Sequence, residues 1–418
     1  MSDDVRAEVR GWLNANWDAD LTVGEWWERL GDSGWAVPMW PVEWHGRGLS
    51  SDEANSVTAE IADAGALGPP GGLGVLLAGP TIVAHGSDEQ KHRYLRPIVT
   101  GQEAWCQLFS EPEAGSDLAG LRCGAVQDGE EWVVNGQKTW TSGAQIANLG
   151  MLMARTDPSV PKHSGISYFA IEMDQPGVEI RPLREMTGRA LFNEVFLTEA
   201  HVRDDALIGG KNKGWGVGNT TLMFERAGLG AGGGGAASAA MPGTIGGHLE
   251  KRAGDFVRVT PGAGGGGGLG GAKGLLELAK ARGVSGDPVL RQDLVRLHTM
   301  AEVARYTNLR LKAAKAAGQD IPGLPNISKL SMSAMMRLIR DLGPAILGPA
   351  GQLLGKDAPL GGMIAETTLF APAVSIYGGS DQVQRNILGE RVLGLPSEPR
   401  TDKTLPFNEL ATSRKAAD

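Results

Sequence analysis

Two short stretches carry the residue types from which a binding loop and a rigid ledge can be built. Ser110-Glu111-Pro112-Glu113-Ala114-Gly115-Ser116-Asp117 is turn chemistry throughout. Pro112 fixes one backbone angle, Gly115 permits a positive one, and Ser116 and Asp117 can bond nearby amides. Such a loop presents backbone N–H groups to a cofactor without needing a helix. Downstream, Asn135-Gly136 is flanked by Glu131-Trp132-Val133-Val134 and Lys138-Thr139-Trp140. An Asn-Gly pair in that setting predicts a tight hairpin, which would bring Trp140 and Ser142 beside the loop.

Composition narrows the class of protein that carries these stretches. A chain of 418 residues can build two or three domains around substantial cores. A net charge of −8 argues against a general nucleic-acid surface and leaves room for a local basic pocket for a phosphate-bearing ligand. Cys106 and Cys123 are the only cysteines, so neither a disulfide framework nor a thiolate metal site is supported, and a reducing compartment is consistent. No apolar run approaches the ~20 residues of a bilayer span, and MSDDVRAEVR lacks the apolar core of a signal peptide, so the cytoplasm is the expected location and no membrane span is expected. Glycine is the outlier, at 62 residues.

The elements that must position the two stretches follow in three blocks. In the first hundred residues, Thr22-x-x-Glu25, Ser50-x-x-Glu53 and Ser87-x-x-Gln90 are capping-box patterns that start three helices. Trp26, Trp27, Trp35 and Trp40 are read as core anchors. From Trp105 to about Val202, short strands alternate with Gly, Pro and Asp turns, which predicts a β-barrel or sandwich, with later strands at 166–171, 178–180 and 194–197. After Gly214 the pattern is helical to about Leu395, interrupted by a glycine-rich insertion at 261–274 and a loop at 349–362. The tail after Pro396 is polar and is expected to run over the surface.

The loop EPEAGSD followed by NGQKTWTSG resembles the flavin-binding middle domain of the acyl-CoA dehydrogenase family, and the likeness extends from about Val5 to Pro396. It implies an α+β chain with an N-terminal all-α domain (1–104), a middle β-barrel domain (105–202), a C-terminal four-helix-bundle domain (203–396) and a polar tail (397–418). It also implies an FAD-dependent enzyme of the actinobacterial fatty- or steroid-acyl type. The family's reaction removes the α-proton of a CoA thioester and passes the β-hydrogen as hydride to flavin N5, which calls for one carboxylate base and hydrogen bonds to the thioester carbonyl.

Ile376-Tyr377-Gly378-Gly379-Ser380-Asp381-Gln382-Val383-Gln384-Arg385 resembles the family motif Y-E-G-T-S-x-I-Q-R, with Gly378 where many members carry the catalytic glutamate. The family's alternative base, found in isovaleryl- and long-chain-type members, lies on the first long helix of the last domain just before an arginine. That position reads Met223-Phe224-Glu225-Arg226-Ala227, so the resemblance implies Glu225 as base. Gly378 retains a backbone N–H for the thioester carbonyl, and Arg226 is available either to position the CoA chain or to form an ordinary salt bridge. The resemblance further places Phe109 and Ser110 on the isoalloxazine, Gly115 and Ser116 near flavin and CoA, Trp140 and Ser142 along the re face, and Ser380 and Gln382 at the phosphate and adenosine portions.

Two departures concern the neighbouring subunit. Arg282-Gly283-Val284-Ser285-Gly286 keeps the arginine and final glycine of the family's R-x-x-F-G contact to a neighbour's FAD but has Ser285 for the aromatic, and no Q-x-x-G-G loop is recognisable in 347–362. Three functions therefore stay open. The first is a dehydrogenase using Glu225 and passing electrons to an electron-transfer flavoprotein, as a homo-oligomer or with a second acyl-CoA dehydrogenase-like chain. The second is a supporting subunit of such a mixed assembly. The third is a flavin oxidase or monooxygenase on the same fold. The small residues after Glu225, 227–243, either leave volume for a bulky acyl group or permit close helix packing.

Overall fold

The computed structural model describes residues 2–230, 239–257, 271–319, 321–397, 399, 402 and 404–410. All three capping boxes form as expected: Thr22 and Glu25 start α2 (Val23–Asp32), Ser50 and Glu53 start α3 (Ser51–Asp63), and Ser87 and Gln90 start α5 (Asp88–Val99). With α1 (Ser2–Asn16) and α4 (Gly79–His85), these helices make the N-terminal layer. Trp26, Trp27 and Trp35 are fully buried at its centre, and the indole N–H groups of Trp26 and Trp27 donate to the Leu67 and Gly68 carbonyls. Trp40 is only partly buried and leans on the next core instead.

Eight strands follow: β1 (Trp105–Leu108), β2 (Gly124–Asp128), β3 (Glu131–Ser142), β4 (Leu149–Arg155), β5 (Ile166–Glu172), β6 (Val178–Leu183), β7 (Phe192–Arg203) and β8 (Leu207–Ile208). They form one sheet in the order β6-β7-β3-β2-β4-β5-β8, with β1 parallel to β4. Every residue of β4 is buried, as befits a strand covered on both faces.

The expected reversal at Asn135-Gly136 does not occur. β3 runs straight through that pair, and the chain turns at Gly129 (φ 61°), where Asp128 pairs with Glu131. Asp128-Gly129 is itself a strong hairpin signal, and a turn there lets Trp132 and Val134 face the core. Asn135-Gly136 instead makes a β-bulge against β7, where the Asn135 Oδ1 accepts from the Glu199 N–H. Gly136 is required there by contact, because a Cβ would lie 2.7 Å from Cys123 Cα.

The last block comprises α6 (Gly214–Gly230), α7 (Ala272–Ala281), α8 (Pro288–Ala316), α9 (Leu324–Leu347), α10 (Met363–Val374) and α11 (Asp381–Ile387). α9 packs on α6, α7, α8, α10 and α11, and the core here is Leu275, Leu278, Leu297, Leu342, Ile346 and Ile364. Two expectations change. Residues 239–257 form no α-helix and lie along the N-terminal layer, with Val23 N–H donating to Lys251 O (2.7 Å) and Ala253 N–H to Leu21 O (2.8 Å). Pro242, Gly243, Gly246, Gly247 and Gly254 make helix unfavourable in this stretch. The expected loop at 349–362 holds three 3₁₀ turns, at Gly348–Gln352, Gly355–Asp357 and Pro359–Gly362. The 261–274 insertion falls outside the described residues up to 270, as do 231–238 of the small-residue stretch.

The polar tail does more than run over the surface. Phe407 N–H donates to Val160 O (2.9 Å), Asn408 N–H to Pro158 O (3.0 Å), and Pro406 bridges to Pro161, so 404–410 dock on the loop after β4. Among the described residues no helix is long and apolar enough to cross a membrane. Gly136→Ala is expected to destabilise the fold by about 1–3 kcal/mol, since overpacking against backbone cannot be relieved by a rotamer change, and a lowered denaturation midpoint would check it.

Candidate active site

β3 and the 110–117 loop are joined by a buried ion pair. The Lys138 side chain has no exposed area, and its Nζ donates to Glu111 Oε1 (2.8 Å), Phe109 O (3.1 Å) and Met153 O (2.8 Å). Glu111 also accepts from the Arg122 N–H (2.7 Å) and Cys123 N–H (2.9 Å). A cation and an anion so far from water persist because their donors and acceptors are filled. The pair fixes the backbone of Phe109, Ser110 and Glu111, and Thr139 N–H donates to Ser110 O (2.9 Å) to complete the junction.

The junction sets out a ledge. Trp140 has φ 60° and is 57% exposed, an unusual posture for a large aromatic, with its ring edge-on to Phe192 at 5.7 Å. Ser142 is exposed next to it, whereas Thr141 between them is buried with its hydroxyl unpaired. Asn193 Nδ2 donates to Thr141 O (3.0 Å) and holds this stretch of β3. Phe109 is buried behind the loop against Tyr168, and Gly115 and Ser116 stand exposed with open space where a Gly115 Cβ would be. An open indole face beside an exposed hydroxyl and a glycine loop fits a planar ring with a phosphate-bearing tail. The residues expected at a flavin are therefore compatible with FAD.

A carboxyl group lies near the same strand. Gln107, two residues before Phe109 on β1, donates through Nε2 to Glu225 Oε2 at 3.4 Å. Burial raises the Glu225 carboxyl above the usual glutamate range, while Gln107 and the charge of Arg226 pull it back. Burial likewise lowers the Arg226 guanidinium, Glu225 raises it, and the nearby Arg391 charge lowers it further. α6 thus places Glu225 beside β1 with Arg226 next to it, and the charge of Arg391 in the C-terminal turn acts on Arg226.

The Gly378 turn is a separate, rigid unit. Gly378 (φ 63°) and Gly379 (φ 81°) take left-handed backbone, and Gln384 Nε2 donates to Gly378 O (2.8 Å) while its Oε1 accepts from Asn326 (2.6 Å). Ser380 caps α11 by accepting from the Val383 N–H, and Gln382 is exposed on that helix's first turn. Asp381 is buried, which works against its charge, yet hydrogen bonds from Lys329, Ser333 and Arg337 hold it down to about 2. Arg282 closes α7 as an exposed residue, and no described hydrogen bond or ion pair joins it to the ledge or the turn.

Sequence reasoning passes over Gln107, Lys138, Glu111, Asn193 and Asp381. Lys138, Glu111 and Asp381 sit inside the quoted motifs, and a lysine amid strand residues is the signal that could have flagged the ion pair. Gln107 and Asn193 gain their roles only from pairing across the fold. Both cysteines are buried thiols, pushed up by burial to about 12 for Cys106 and about 11 for Cys123.

Models of the acyl-CoA dehydrogenase N-terminal, middle and C-terminal domains match residues 2–102, 106–199 and 257–393. The chain belongs to the acyl-CoA dehydrogenase family, whose members are FAD-binding oxidoreductases. It is similar to acyl-CoA dehydrogenase IpdE1 of Mycobacterium tuberculosis, 34% identical over 95% of this chain and 99% of that protein, and to its Mycolicibacterium smegmatis counterpart, 35% identical over 94% and 98%. Among solved structures it is similar to the Tcur3481-Tcur3483 steroid ACAD, with a TM-score of 0.70 and 27% identity over 95% of this chain and 98% of that one. The ChsE4-ChsE5 complex from Mycobacterium tuberculosis gives a TM-score of 0.65 and 26% identity over 95% and 98%.

Lys138→Met strands the Glu111 carboxylate in the interior and is expected to cost about 3–5 kcal/mol, measurable by denaturant titration. Asp381 contributes stability that is present above the unfolded carboxyl value of about 3.9 and is lost as pH falls toward about 2, because its folded value is depressed. The stability gap between wild type and Asp381→Asn is accordingly expected to hold steady above that value and to shrink below it, as followed in acid denaturation.

Proposed function

We propose that the chain catalyses the α,β-dehydrogenation of an acyl-CoA thioester to the trans-2-enoyl-CoA, with FAD as cofactor, Glu225 as base and electrons passed to an electron-transfer flavoprotein. One observation carries this reading: Glu225 is a half-buried carboxyl raised above its usual range, beside the strand that leads into Phe109, in a chain with no side chain at Gly378. A base must accept a proton near neutrality, and burial raises its affinity for one. Bound FAD would accept the β-hydrogen as hydride.

The remaining roles fall to this chain's own groups. Trp140 and Ser142 would line one side of the ring, Phe109 and Ser110 would pack on and bond its edge, and Gly115 and Ser116 would let backbone approach the ring and the CoA. Ser380 and Gln382 would meet the phosphate and adenosine portions. The Gly378 N–H would donate to the thioester carbonyl as negative charge develops on it. Arg226 would steer the CoA chain toward Glu225, and Arg282, at the surface, would reach a neighbouring subunit's cofactor. The steroid ACAD neighbour supports a bulky acyl group as substrate. Two buried free thiols suit the cytoplasm.

A specific observation favours a second reading. Two neighbours are described as two-component proteins, the Tcur3481-Tcur3483 ACAD and the ChsE4-ChsE5 complex, so this chain would work as one half of a mixed assembly with a second acyl-CoA dehydrogenase-like chain. Flavin content per chain, with and without a co-expressed partner, separates the two readings.

The visible spectrum of the purified protein, alone and after addition of acyl-CoA, tests the proposal. Wild-type flavin absorbance is expected to bleach and Glu225→Gln to bleach at least about a hundredfold more slowly, the scale of a lost general base. Equal bleaching in both would remove Glu225 from the role. Since only the carboxylate takes the proton and burial keeps the group protonated to higher pH, the wild-type rate is expected to climb with pH through a midpoint above the ordinary glutamate range.

A further inference from the structure

The tail and the cofactor loop meet at two buried cations, neither of which the proposed chemistry uses. Lys162, on the loop after β4, is nearly inaccessible, and its Nζ lies 2.9 Å from both Asp117 carboxylate oxygens and 2.5 Å from Asp402 Oδ2. Asp117 ends the 110–117 loop, and Asp402 belongs to the tail. Arg155, at the end of β4, is 5% exposed, and among the described residues it donates to carbonyls, those of Lys162 (2.5 Å), Ala119 (2.7 Å) and Leu121 (3.2 Å). The Phe407 ring covers its guanidinium at 3.8 Å. The same tail residue is pinned by its backbone to Val160.

A desolvated guanidinium bonded to carbonyls is costly unless something replaces water over its flat face, and an aromatic ring supplies that attraction. Without Phe407, water reaches Arg155 and competes with its bonds to the 119–121 backbone. Without Asp402, Lys162 keeps Asp117 alone and loses the carboxylate that ties it to the tail. Both routes end on the chain segment immediately following Gly115 and Ser116. We infer that Asp402 and residues 404–410 form an intramolecular strap that holds the 115–121 loop in its binding shape through Arg155 and Lys162, with Phe407 as a positioning residue for cofactor binding. The inference rests on the proposed function for what the loop binds, and not for the coupling itself.

The test compares wild type with Phe407→Ala and Phe407→Tyr in the full chain. Hydrogen exchange of amides 113–121 reads the loop directly, and release of FAD on dilution, followed by recovery of its fluorescence, reads the site. Phe407→Ala is expected to speed exchange of those amides and to raise FAD release by about threefold to tenfold, the range of one desolvated cation–π contact, and Phe407→Tyr is expected to restore both. Turnover per bound flavin is expected to stay the same while KM for acyl-CoA rises. Loop exchange unchanged in Phe407→Ala, or a lowered melting temperature with no change confined to 113–121, would overturn the strap. Wild-type protein that holds no flavin would overturn the proposed function instead, and the exchange comparison would still decide the strap.

Discussion

A single buried ion pair organises the middle of this molecule. Lys138 and Glu111 come from the two stretches that carry the binding chemistry, and their bond converts two surface-like segments into one rigid body. Lys138 bridges three carbonyl or carboxylate acceptors on β3's neighbours, so the loop, the ledge and β4 share a common origin. Such a pair contributes less to net stability than to geometry, because desolvation offsets most of its Coulombic attraction. What it sets is the angle at which Trp140 meets the Ser110–Ser116 loop, and a flat cofactor face tolerates little error in that angle.

The proposed base follows a different logic. Gly378 lies in a turn already locked by Asp381, Lys329 and Arg337, whereas Glu225 projects from α6 with Gln107 donating to it and the charge of Arg226 nearby. The two positions differ in how the surroundings treat charge. The cations around the turn hold Asp381 ionised, whereas burial at the α6 position penalises charge and raises the affinity of Glu225 for a proton.

Much of this was legible in the chain. Helix starts were, because a capping box is a local contract between a hydroxyl and a side chain three residues on, and Thr22, Ser50 and Ser87 needed nothing from the rest of the fold. The loop and ledge motifs were legible as a pair. The turn was misplaced because Asn135-Gly136 and Asp128-Gly129 send the same local signal, and the choice between them is made by β7, whose bulge absorbs one of them. Gln107 was invisible for a related reason: its partner lies on α6, far away in sequence, and no local pattern announces a pairing across domains. The docked tail escaped for the same cause, since its polar composition is compatible with either solvent or a groove.

The segment 239–257 is fastened to the N-terminal layer by backbone and side chains together: Val23 to Lys251, Gly24 to Leu249, Ala253 to Leu21 and Gly254 to Ala19 are main-chain bonds, while Ala240 and Ala253 are buried in the N-terminal core, Leu249 and Phe256 pack against it, and Arg252 pairs with Asp20. The peptide groups set the course of the segment, and its buried side chains seat it. A larger side chain at Ala240 or Ala253 would therefore disturb that seat, as would any side chain at Gly247, whose Cβ would fall 2.0 Å from Gly243 O. The segment is thus a clasp, and its exposed residues, such as Ile245, are the ones that lie outside this constraint.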